Sequence, residues 1–501
     1  MTTLLETTGQ AAQWLRDRVR GRLLTDSRKV TRGDGFIAWP GAATDGRNFV
    51  AGALAGGASA CLVEQEGAAR FGFDDARIAA YPGLKSATGP IAAAYFDSPS
   101  ARLDVVAVTG TNGKTSTAWF LAQALQKLGR RCGLVGTLGI GEPGAMVSNG
   151  LTTPDPVLLQ EQLRRFVDDG FAACAVEASS IGIVERRLDA LSIHTAIFTN
   201  FTQDHLDFHG SMQAYWDAKK RLFGWDGLQA AVINIDDPKG VELQVSLANT
   251  ELDVWTFSCE VSQTTARLSA HDLTCVDGSL HFTVVEGVQR HSIATRMVGR
   301  YNASNLLGVM CALRAMNFPL AEVVHACADL GPVPGRMDTL DQQGLPFVVV
   351  DYAHTADALE KVLSALRPVA NNRSGQLWCV FGCGGDRDKT KRPLMAATAE
   401  QHADRIVLTS DNPRTENPLT IMNEMMAGLK HPPAVHREAD RAAAIAWALG
   451  QAHPRDVVLL AGKGHEQFQE INGKMHPFSD LGHAQAVLNA RAKNVPAGSA
   501  A

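Results

Sequence analysis

The sequence predicts an α/β protein of three domains built on mostly parallel sheets, and three observations lead there. The first is size: 501 residues, 45% hydrophobic and 20% charged, are ordinary globular composition with room for roughly three domains of about 100–200 residues. The second is alternation, since short β-branched runs recur with helical periodicity between them, the pattern of parallel sheets covered by helices. The third is a strand, glycine-rich turn and helix at 104–128, the framework of a phosphate-binding loop.

Taken in order, residues 1–100 are rich in Ala and Gly, with short apolar runs at Gly35–Trp39 and Ala58–Val63. Ser98-Pro99-Ser100 reads as a linker. Asp104–Thr109 is then a strand, and Thr117–Leu128 carries apolar residues at helical spacings of three and four. Ala173–Glu177, Thr195–Thr199 and Ala230–Asn234 are further strands with helical stretches between them. Residues 253–298 change character to short alternating segments, which predicts an antiparallel insertion. The proline and glycine density of Gly331-Pro-Val-Pro-Gly335 marks a boundary. Beyond it Phe347–Asp351, Trp378–Phe381, Arg405–Thr409 and Val457–Ala461 are strands. The divisions predicted are 1–100, 101–335 and 336–501, and only the Ala/Gly-rich tail after Asn494 is of low complexity.

Net charge is −5 and no Lys/Arg-rich stretch stands out, so no nucleic-acid face is expected. A protein of this charge that handles anions must concentrate positive potential in loops and at helix N-termini. The N-terminus lacks the basic-then-apolar layout of a signal peptide, and no apolar stretch of about 18 residues exists. Nine scattered cysteines without a C-x-x-C pair read as reduced, buried thiols. Cys379 and Cys383 have no second pair to complete a metal site. A cytoplasmic monomer with no membrane partner is expected.

The strongest local signal is Thr109-Gly-Thr-Asn-Gly-Lys-Thr-Ser116. Gly110 and Gly113 let backbone N–H groups turn toward phosphate oxygens, alongside the positive end of the following helix. Lys114 would reach the β- and γ-phosphates, and the Thr115 hydroxyl would bind Mg²⁺. The strict G-x-x-x-x-G-K-[ST] pattern is not met, because Val108 holds its first position. Glu177 ends its strand where open α/β sheets place their sites, and it is both a candidate Mg²⁺ ligand and an ordinary strand-end acid. Thr199-Asn-Phe-Thr-Gln-Asp-His-Leu-Asp-Phe-His-Gly210 packs two His and two Asp just past a strand.

These segments, together with Glu177-Ala-Ser-Ser180, Gly299-Arg-Tyr-Asn302, Gly335-Arg336, Asp351-Tyr-Ala-His354 and Gly462-Lys-Gly-His-Glu466, resemble the Mur ligase family in order and spacing over essentially the whole chain. The resemblance implies an N-terminal domain holding UDP, a central P-loop ATPase domain, and a C-terminal Rossmann-like domain bringing the amino acid. It implies an ATP- and Mg²⁺-dependent amide-bond ligase: a carboxylate attacks the γ-phosphate to give an acyl phosphate, and an amine displaces phosphate through a tetrahedral intermediate. It places Gly110, Thr111, Asn112, Gly113, Lys114, Thr115, Ser116 and Asn302 on ATP, with Arg336 and Asp351 on its ribose or phosphates across the domain junction. It joins Thr115, Glu177 and His205 around the metals, with Lys114, His205 and Lys219 catalytic. His354 stands either with the nucleotide or as an interface histidine. Lys219, whose helix alone reads as a solvated basic face, falls on a carbamylated lysine in the family. A free ammonium beside Mg²⁺ would be repelled, whereas the CO₂ adduct is an anion.

Within the family, Thr25-Asp-Ser27-Arg28 resembles the uracil and diphosphate loop of the enzyme adding the third amino acid, with Ala42, Ala43 and Thr44 adjoining. Thr152 and Thr153, in Leu151-Thr-Thr-Pro154, match its substrate loop. Ser179, Glu185 and Arg187 fall on positions contacting the muramoyl dipeptide. Ile181 and Glu185 depart from the His and Gln expected there. Asp411-Asn412-Pro413-Arg414 is the signature linked to meso-diaminopimelate over lysine, with Arg387, Gly462 and Glu466 completing that pocket. A planar guanidinium suits the second carboxylate that lysine lacks. The resemblance thus implies addition of meso-diaminopimelate to UDP-MurNAc-L-Ala-D-Glu in peptidoglycan precursor synthesis. The competing readings are another ligase of the family, such as an L-lysine-adding one, and a P-loop ATPase switch.

Overall fold

The computed structural model describes residues 2–41, 44–260, 265–276, 279–432 and 435–494. Their strands form three large sheets and one hairpin. The N-terminal sheet is wholly parallel, in the order Thr3–Leu4, Ile78–Tyr81, Ala60–Glu64, Gly35–Ala38, Leu23–Leu24.

The central sheet has eleven strands. Its parallel heart runs Ala230–Asn234, Thr195–Phe198, Asp104–Thr109, Ala173–Glu177, Cys132–Gly136. Asp104–Thr109 is buried on both faces, as a strand in a helix-covered parallel sheet must be. Val106 and Val108 pack under the helices Lys114–Lys127 and Arg300–Ala315, while Val105 and Ala107 face Leu159, Leu163 and Trp216. That double burial is why the segment reads as a continuous apolar run. The helix predicted from Thr117 begins at Lys114, because Gly113 at φ 84° turns the chain directly into it.

The antiparallel insertion is narrower than predicted. Asp253–Ser258 pairs parallel with Ala230–Asn234, and Leu268–Val276 enters parallel against Phe257. Only Leu268–Val276, Ser279–Glu286 and Gln289–Thr295 form an antiparallel meander. Two more antiparallel strands, Gly139–Glu142 and Ala145–Val147, extend the other edge. The segment 98–100, read as a linker, is packed down: Pro99 and Ser100 are buried in a 3₁₀ turn, and the Ser100 hydroxyl accepts from the Ser192 amide at 3.0 Å.

The C-terminal sheet runs Asp338–Leu340, Phe347–Asp351, Val457–Ala461, Leu377–Phe381, Arg405–Leu408, His436–Arg437, antiparallel only at Asp338–Leu340. Eight of the nine thiols are buried, and Cys275 is exposed, contrary to the expectation for all nine. Among the described residues no helix is long and apolar enough to cross a membrane.

Candidate active site

The loop after Asp104–Thr109 owes its shape to two glycines. A Cβ on Gly110 (φ 147°) would lie 1.9 Å from Thr199 Oγ1, and one on Gly113 (φ 84°) 2.6 Å from Asn305 Oδ1. The amides of Thr111 and Asn112 donate to Asn200 O and Oδ1, each at 2.9 Å, so they brace the loop. The first-turn amides of Lys114, Thr115 and Ser116 have no intrahelical acceptor, as at any helix start. All three residues line a cavity of about 1270 Å³. Lys114 folds its ammonium onto Gly110 O (2.9 Å) and Thr111 O (2.8 Å), and burial lowers its pKa.

Glu177 is fully buried at the end of its strand. It accepts from Thr115 Oγ1 (3.0 Å), Thr137 N (2.8 Å) and Thr137 Oγ1 (3.1 Å). Its seat exists because residue 136 is glycine, where a Cβ would come within 2.1 Å of Glu177 Oε1. Thr152 reaches Thr137 Oγ1 at 3.0 Å, Thr153 donates to Glu177 O at 2.7 Å, and Ser179 Oγ lies 2.9 Å from Thr153 Oγ1. Arg187 donates to Thr153 O at 2.9 Å, and burial lowers its pKa. Glu185 ion-pairs with Lys85 of the N-terminal domain at 2.8 Å.

Lys219, in the helix Met212–Lys220, is 1% exposed, so the solvated basic face that the helix alone suggests does not extend to this residue. Its amine donates to Gly110 O at 2.7 Å and lies 4.4 Å from the Tyr215 ring centroid. Burial, helped by nearby Lys114, pushes its pKa well below the ordinary lysine value. His205, at a left-handed φ of 54°, is held neutral by burial with a pKa near 4. Its Nε2 lies 3.5 Å from Asp204 Oδ2, and His354 Nε2 reaches the same oxygen at 3.6 Å. Lys391 contacts Asp204 Oδ1 at 3.2 Å. Burial alone would raise the Asp204 pKa, but Lys391 and the two histidines hold it well below the carboxylate range. Among the described residues no cluster of three or more His, Cys, Asp and Glu closes into a metal cage.

Across the cavity, Asn302 donates to Val298 O at 2.9 Å, and Asp351 accepts from the amides of Met337 (2.9 Å) and Ala353 (2.8 Å). Arg336 spans the junction of the middle and last domains. It donates to Thr115 Oγ1 at 3.2 Å and lies 4.4 Å from the Tyr352 ring centroid. The Arg336 Nε and Tyr301 hydroxyl are buried there without a hydrogen-bond partner among the described residues, as polar groups awaiting a ligand would be.

The residues predicted for the amino acid gather separately, at the C-terminal ends of the strands of the last sheet. Asn412 donates to Glu466 Oε2 at 2.9 Å, and Lys463 donates to Asn412 Oδ1 (3.0 Å) and Glu466 Oε2 (2.6 Å). Gly462 (φ 114°) abuts Asp411, whose Oδ2 would sit 2.6 Å from a Cβ there, and Pro413 O closes on Gly385. Arg414 (φ 51°) donates to Gly385 O at 2.7 Å and pairs with Glu470 at 3.1 Å. Arg387, bonded to Asp386 O at 2.9 Å, flanks Gly384 beside it. Thr25, Ser27 and Thr44 do not line the central cavity. They follow the strands Leu23–Leu24 and Gly35–Ala38, also at C-terminal ends. Ala42 and Ala43 lie outside the described residues.

Sequence reasoning missed Lys463, although it stands inside a quoted motif, and Thr137, which completes the Glu177 seat. It also missed Asp204 and Lys391 as a pair, for which no local signal exists.

Residues 22–87 match the Mur ligase family, catalytic domain, 108–313 the Mur ligase middle domain, and 335–464 the Mur ligase, glutamate ligase domain. The UDP-N-acetylmuramoyl-L-alanyl-D-glutamate--2,6-diaminopimelate ligase of Acidovorax sp. (strain JS42) is 54% identical over 97% of this chain and 98% of that protein. The ligase of the same name from Pseudomonas aeruginosa is 45% identical over 95% and 96%. A solved structure of an enzyme so named matches with a TM-score of 0.63 at 36% identity, covering 94% of this chain and 95% of that one. The MurF ligase of Thermotoga maritima in complex with ADP shares the fold, with a TM-score of 0.63 at 18% identity over 94% and 98%. With matches in all three sheet-bearing regions and near-complete alignment to relatives of this kind, the chain belongs to the Mur ligase family.

Proposed function

We propose that the protein is an ATP-dependent ligase joining meso-diaminopimelate to the D-Glu carboxylate of UDP-MurNAc-L-Ala-D-Glu, a step of peptidoglycan precursor synthesis in the cytoplasm. The observation that carries this reading is 54% identity, over 97% of the chain, to a ligase named for that reaction. In this reading residues 1–100 hold the UDP end, 101–335 bind ATP, and 336–501 bring the amino acid. Thr25, Ser27, Ala42, Ala43 and Thr44 would serve the nucleotide sugar, and Thr152, Thr153, Ser179, Glu185 and Arg187 the dipeptide.

The reaction joins two anions before it joins the amine. A carboxylate oxygen attacks the γ-phosphorus as the bond to the bridging oxygen breaks, and ADP leaves. The amine nitrogen then attacks the acyl carbon, losing a proton as the C–O bond breaks and phosphate leaves. The site must therefore neutralise negative charge that grows in the first step. Lys114 would swing from its own loop carbonyls to the phosphates, with the first-turn amides of its helix. Arg336 brings a second cation from the last domain, and Asn302 and Asp351 would seat the nucleoside.

Three of the four donors are the hard oxygens that Mg²⁺ takes, the fourth being a His205 ring nitrogen. The Glu177 carboxylate, the Thr115 hydroxyl, a carbamylated Lys219 and the neutral His205 would hold it, and when bound it supplies charge neutralisation at the phosphates. The seat that Gly136 leaves for Glu177, 3.0 Å from the Thr115 hydroxyl, is the feature of the fold that fits the ion.

The test is a ligation assay with meso-diaminopimelate against L-lysine. Amide formation with the former, and ATP turnover only when the UDP-linked dipeptide is present, is expected. Equal use of L-lysine, or ATP hydrolysis without either co-substrate, would overturn the reading.

A further inference from the structure

The side chain of Arg441, at the start of the helix Arg441–Gln451, is sealed inside the last domain with Asp480, both ends of the pair being 0% exposed. Its guanidinium donates through Nε and Nη2 to the two Asp480 oxygens at 2.7 and 2.6 Å. The remaining contacts run to main-chain carbonyls: Nη1 to Ser410 O at 3.2 Å and Nη2 to Ala461 O at 2.9 Å. Ser410 immediately precedes Asp411-Asn-Pro-Arg414, and Ala461 immediately precedes Gly462-Lys-Gly-His-Glu466. One planar fork thus holds the roots of both loops.

Those loops come from strands that are not neighbours. Arg405–Leu408 and Val457–Ala461 flank Leu377–Phe381 in the sheet, so no ladder bond joins them directly. Beyond the strand ends, main-chain bonds tie Arg414 to Glu470 and Asn472 of the hairpin that follows the second loop, whereas the roots of the two loops are joined through side chains. Gln469 adds to the clamp, donating to Ser410 Oγ at 3.0 Å and Asp411 O at 2.6 Å. At the loop tips Asn412 meets Glu466 at 2.9 Å. The spacing of that meeting depends on how the roots are held.

A buried ion pair is a poor device for stability alone, since the loss of hydration of two charges offsets most of their attraction and apolar residues of like volume often do as well. It is a good device for fixing geometry, because a guanidinium carries its donors in a rigid plane. Asp480 stands in the first turn of its own helix, where the helix dipole favours its negative charge.

We infer that Arg441, locked by Asp480, is a positioning residue for the amino-acid pocket: it sets the distance between the Asp411–Arg414 and Gly462–Glu466 loops without touching the substrate. This rests on the reading that those loops take the diamino acid.

The test measures KM for meso-diaminopimelate, ATP and the UDP-linked dipeptide, together with Tm, in Arg441→Lys and Asp480→Asn. Arg441→Lys keeps the charge and loses the fork. Asp480→Asn keeps the fork and loosens its anchor, and stands in should the lysine variant fail to fold. KM for the diamino acid should rise about tenfold or more, one decade being about 1.4 kcal/mol, with the other two KM values within about twofold of wild type. An unchanged KM for the diamino acid would overturn the inference, as would a parallel change in all three constants with a lowered Tm. Arg414→Ala separates this from failure of the underlying reading. If that variant also leaves KM for the diamino acid unchanged, the pocket itself is misassigned; if it raises KM while Arg441→Lys does not, only the role of Arg441 falls.

Discussion

The Lys391 ammonium lies 3.2 Å from Asp204 Oδ1, a buried contact between the last domain and the loop that carries His205. Gln203 supports it from the next position, donating to Thr390 Oγ1 at 2.7 Å, and Asn112 of the glycine loop donates to Asp357 at 2.7 Å. The middle and last domains therefore meet through polar groups beside the central cavity. Lys391→Ala leaves Asp204 buried without its strongest cation, a change that costs about 3–5 kcal/mol where such pairs are fully buried. kcat should fall at least about tenfold, while binding of the UDP-linked dipeptide, measured by calorimetry, should hold, because the Lys391 ammonium bonds to Asp204 and to none of Thr152, Thr153, Ser179, Glu185 and Arg187. Wild-type kcat in a folded Lys391→Ala protein would refute a role for this contact in bringing the domains together.

Lys219 makes a chemical prediction. Burial pushes its pKa well below the ordinary lysine value, which favours the uncharged amine; that form attacks CO₂, forming an N–C bond and releasing a proton. The carbamate retains one N–H, so the bond to Gly110 O (2.7 Å in this structure) survives the modification. Lys219→Ala should lose most activity, and added formate should restore part of it. Labelling with ¹³CO₂ checks the adduct directly by its carbamate resonance. A bare amine under saturating bicarbonate would sink the assignment.

How much of this was legible in the sequence depends on the range of the signal. The strands Asp104–Thr109, Ala173–Glu177 and Ala230–Asn234 were, because burial on both faces demands unbroken apolar runs. The burial of Lys219 was not, since Asp-Ala-Lys-Lys-Arg has the composition of a wet helix face and only the packing against Gly110 makes it otherwise. Asp253–Ser258 was misjudged because alternation along a strand does not tell whether its neighbours run parallel or antiparallel; here Ala230–Asn234 and Leu268–Val276 flank it, both paired parallel. Lys391 and Asp204 are 187 residues apart, and no local pattern encodes their meeting. The glycines did carry readable information: Gly110, Gly113 and Gly462 all occupy positive φ, where side chains are rarely tolerated.

Close to the Asp411–Arg414 loop, Glu416 is pulled down to a pKa of about 2, first by its hydrogen bonds from Arg392. The depressed value means the folded state holds the charged form, so the contribution is complete above the ordinary value of 4.5 and is lost as pH falls through about 2. Glu416→Gln should accordingly lower Tm at pH 7, and the gap from wild type should close as pH drops from about 4.5 toward 2. A gap that stayed constant across that range would show that the charge is not what Arg392 recognises.

In the proposed reading, substrate choice turns on Arg414. Its guanidinium is aimed by Gly385 O at 2.7 Å and Glu470 at 3.1 Å, and its left-handed backbone is stitched to the last hairpin through Glu470 O and the Asn472 amide. A guanidinium carries five N–H donors, more than these two bonds use. The distal carboxylate of diaminopimelate would take what is left, in charge-assisted bonds worth roughly 1.5–3 kcal/mol each. Glu470 changes how lysine is rejected. With lysine bound, Arg414 would still keep its carboxylate partner, so little of the discrimination comes from an orphaned charge and most from the bond that lysine cannot make. Glu466, already holding Lys463 at 2.6 Å, would share its negative charge with the distal ammonium, which both substrates carry and which therefore discriminates little. Arg414→Ala should raise KM for meso-diaminopimelate about tenfold or more, one decade being about 1.4 kcal/mol. KM for ATP should stay within about twofold, because Arg414 does not line the central cavity proposed for the nucleotide. The residual use of L-lysine should change far less than that of diaminopimelate, and steady-state rates with both amino acids check it. An Arg414→Ala enzyme that used diaminopimelate as well as wild type would remove this residue from the specificity of the reaction.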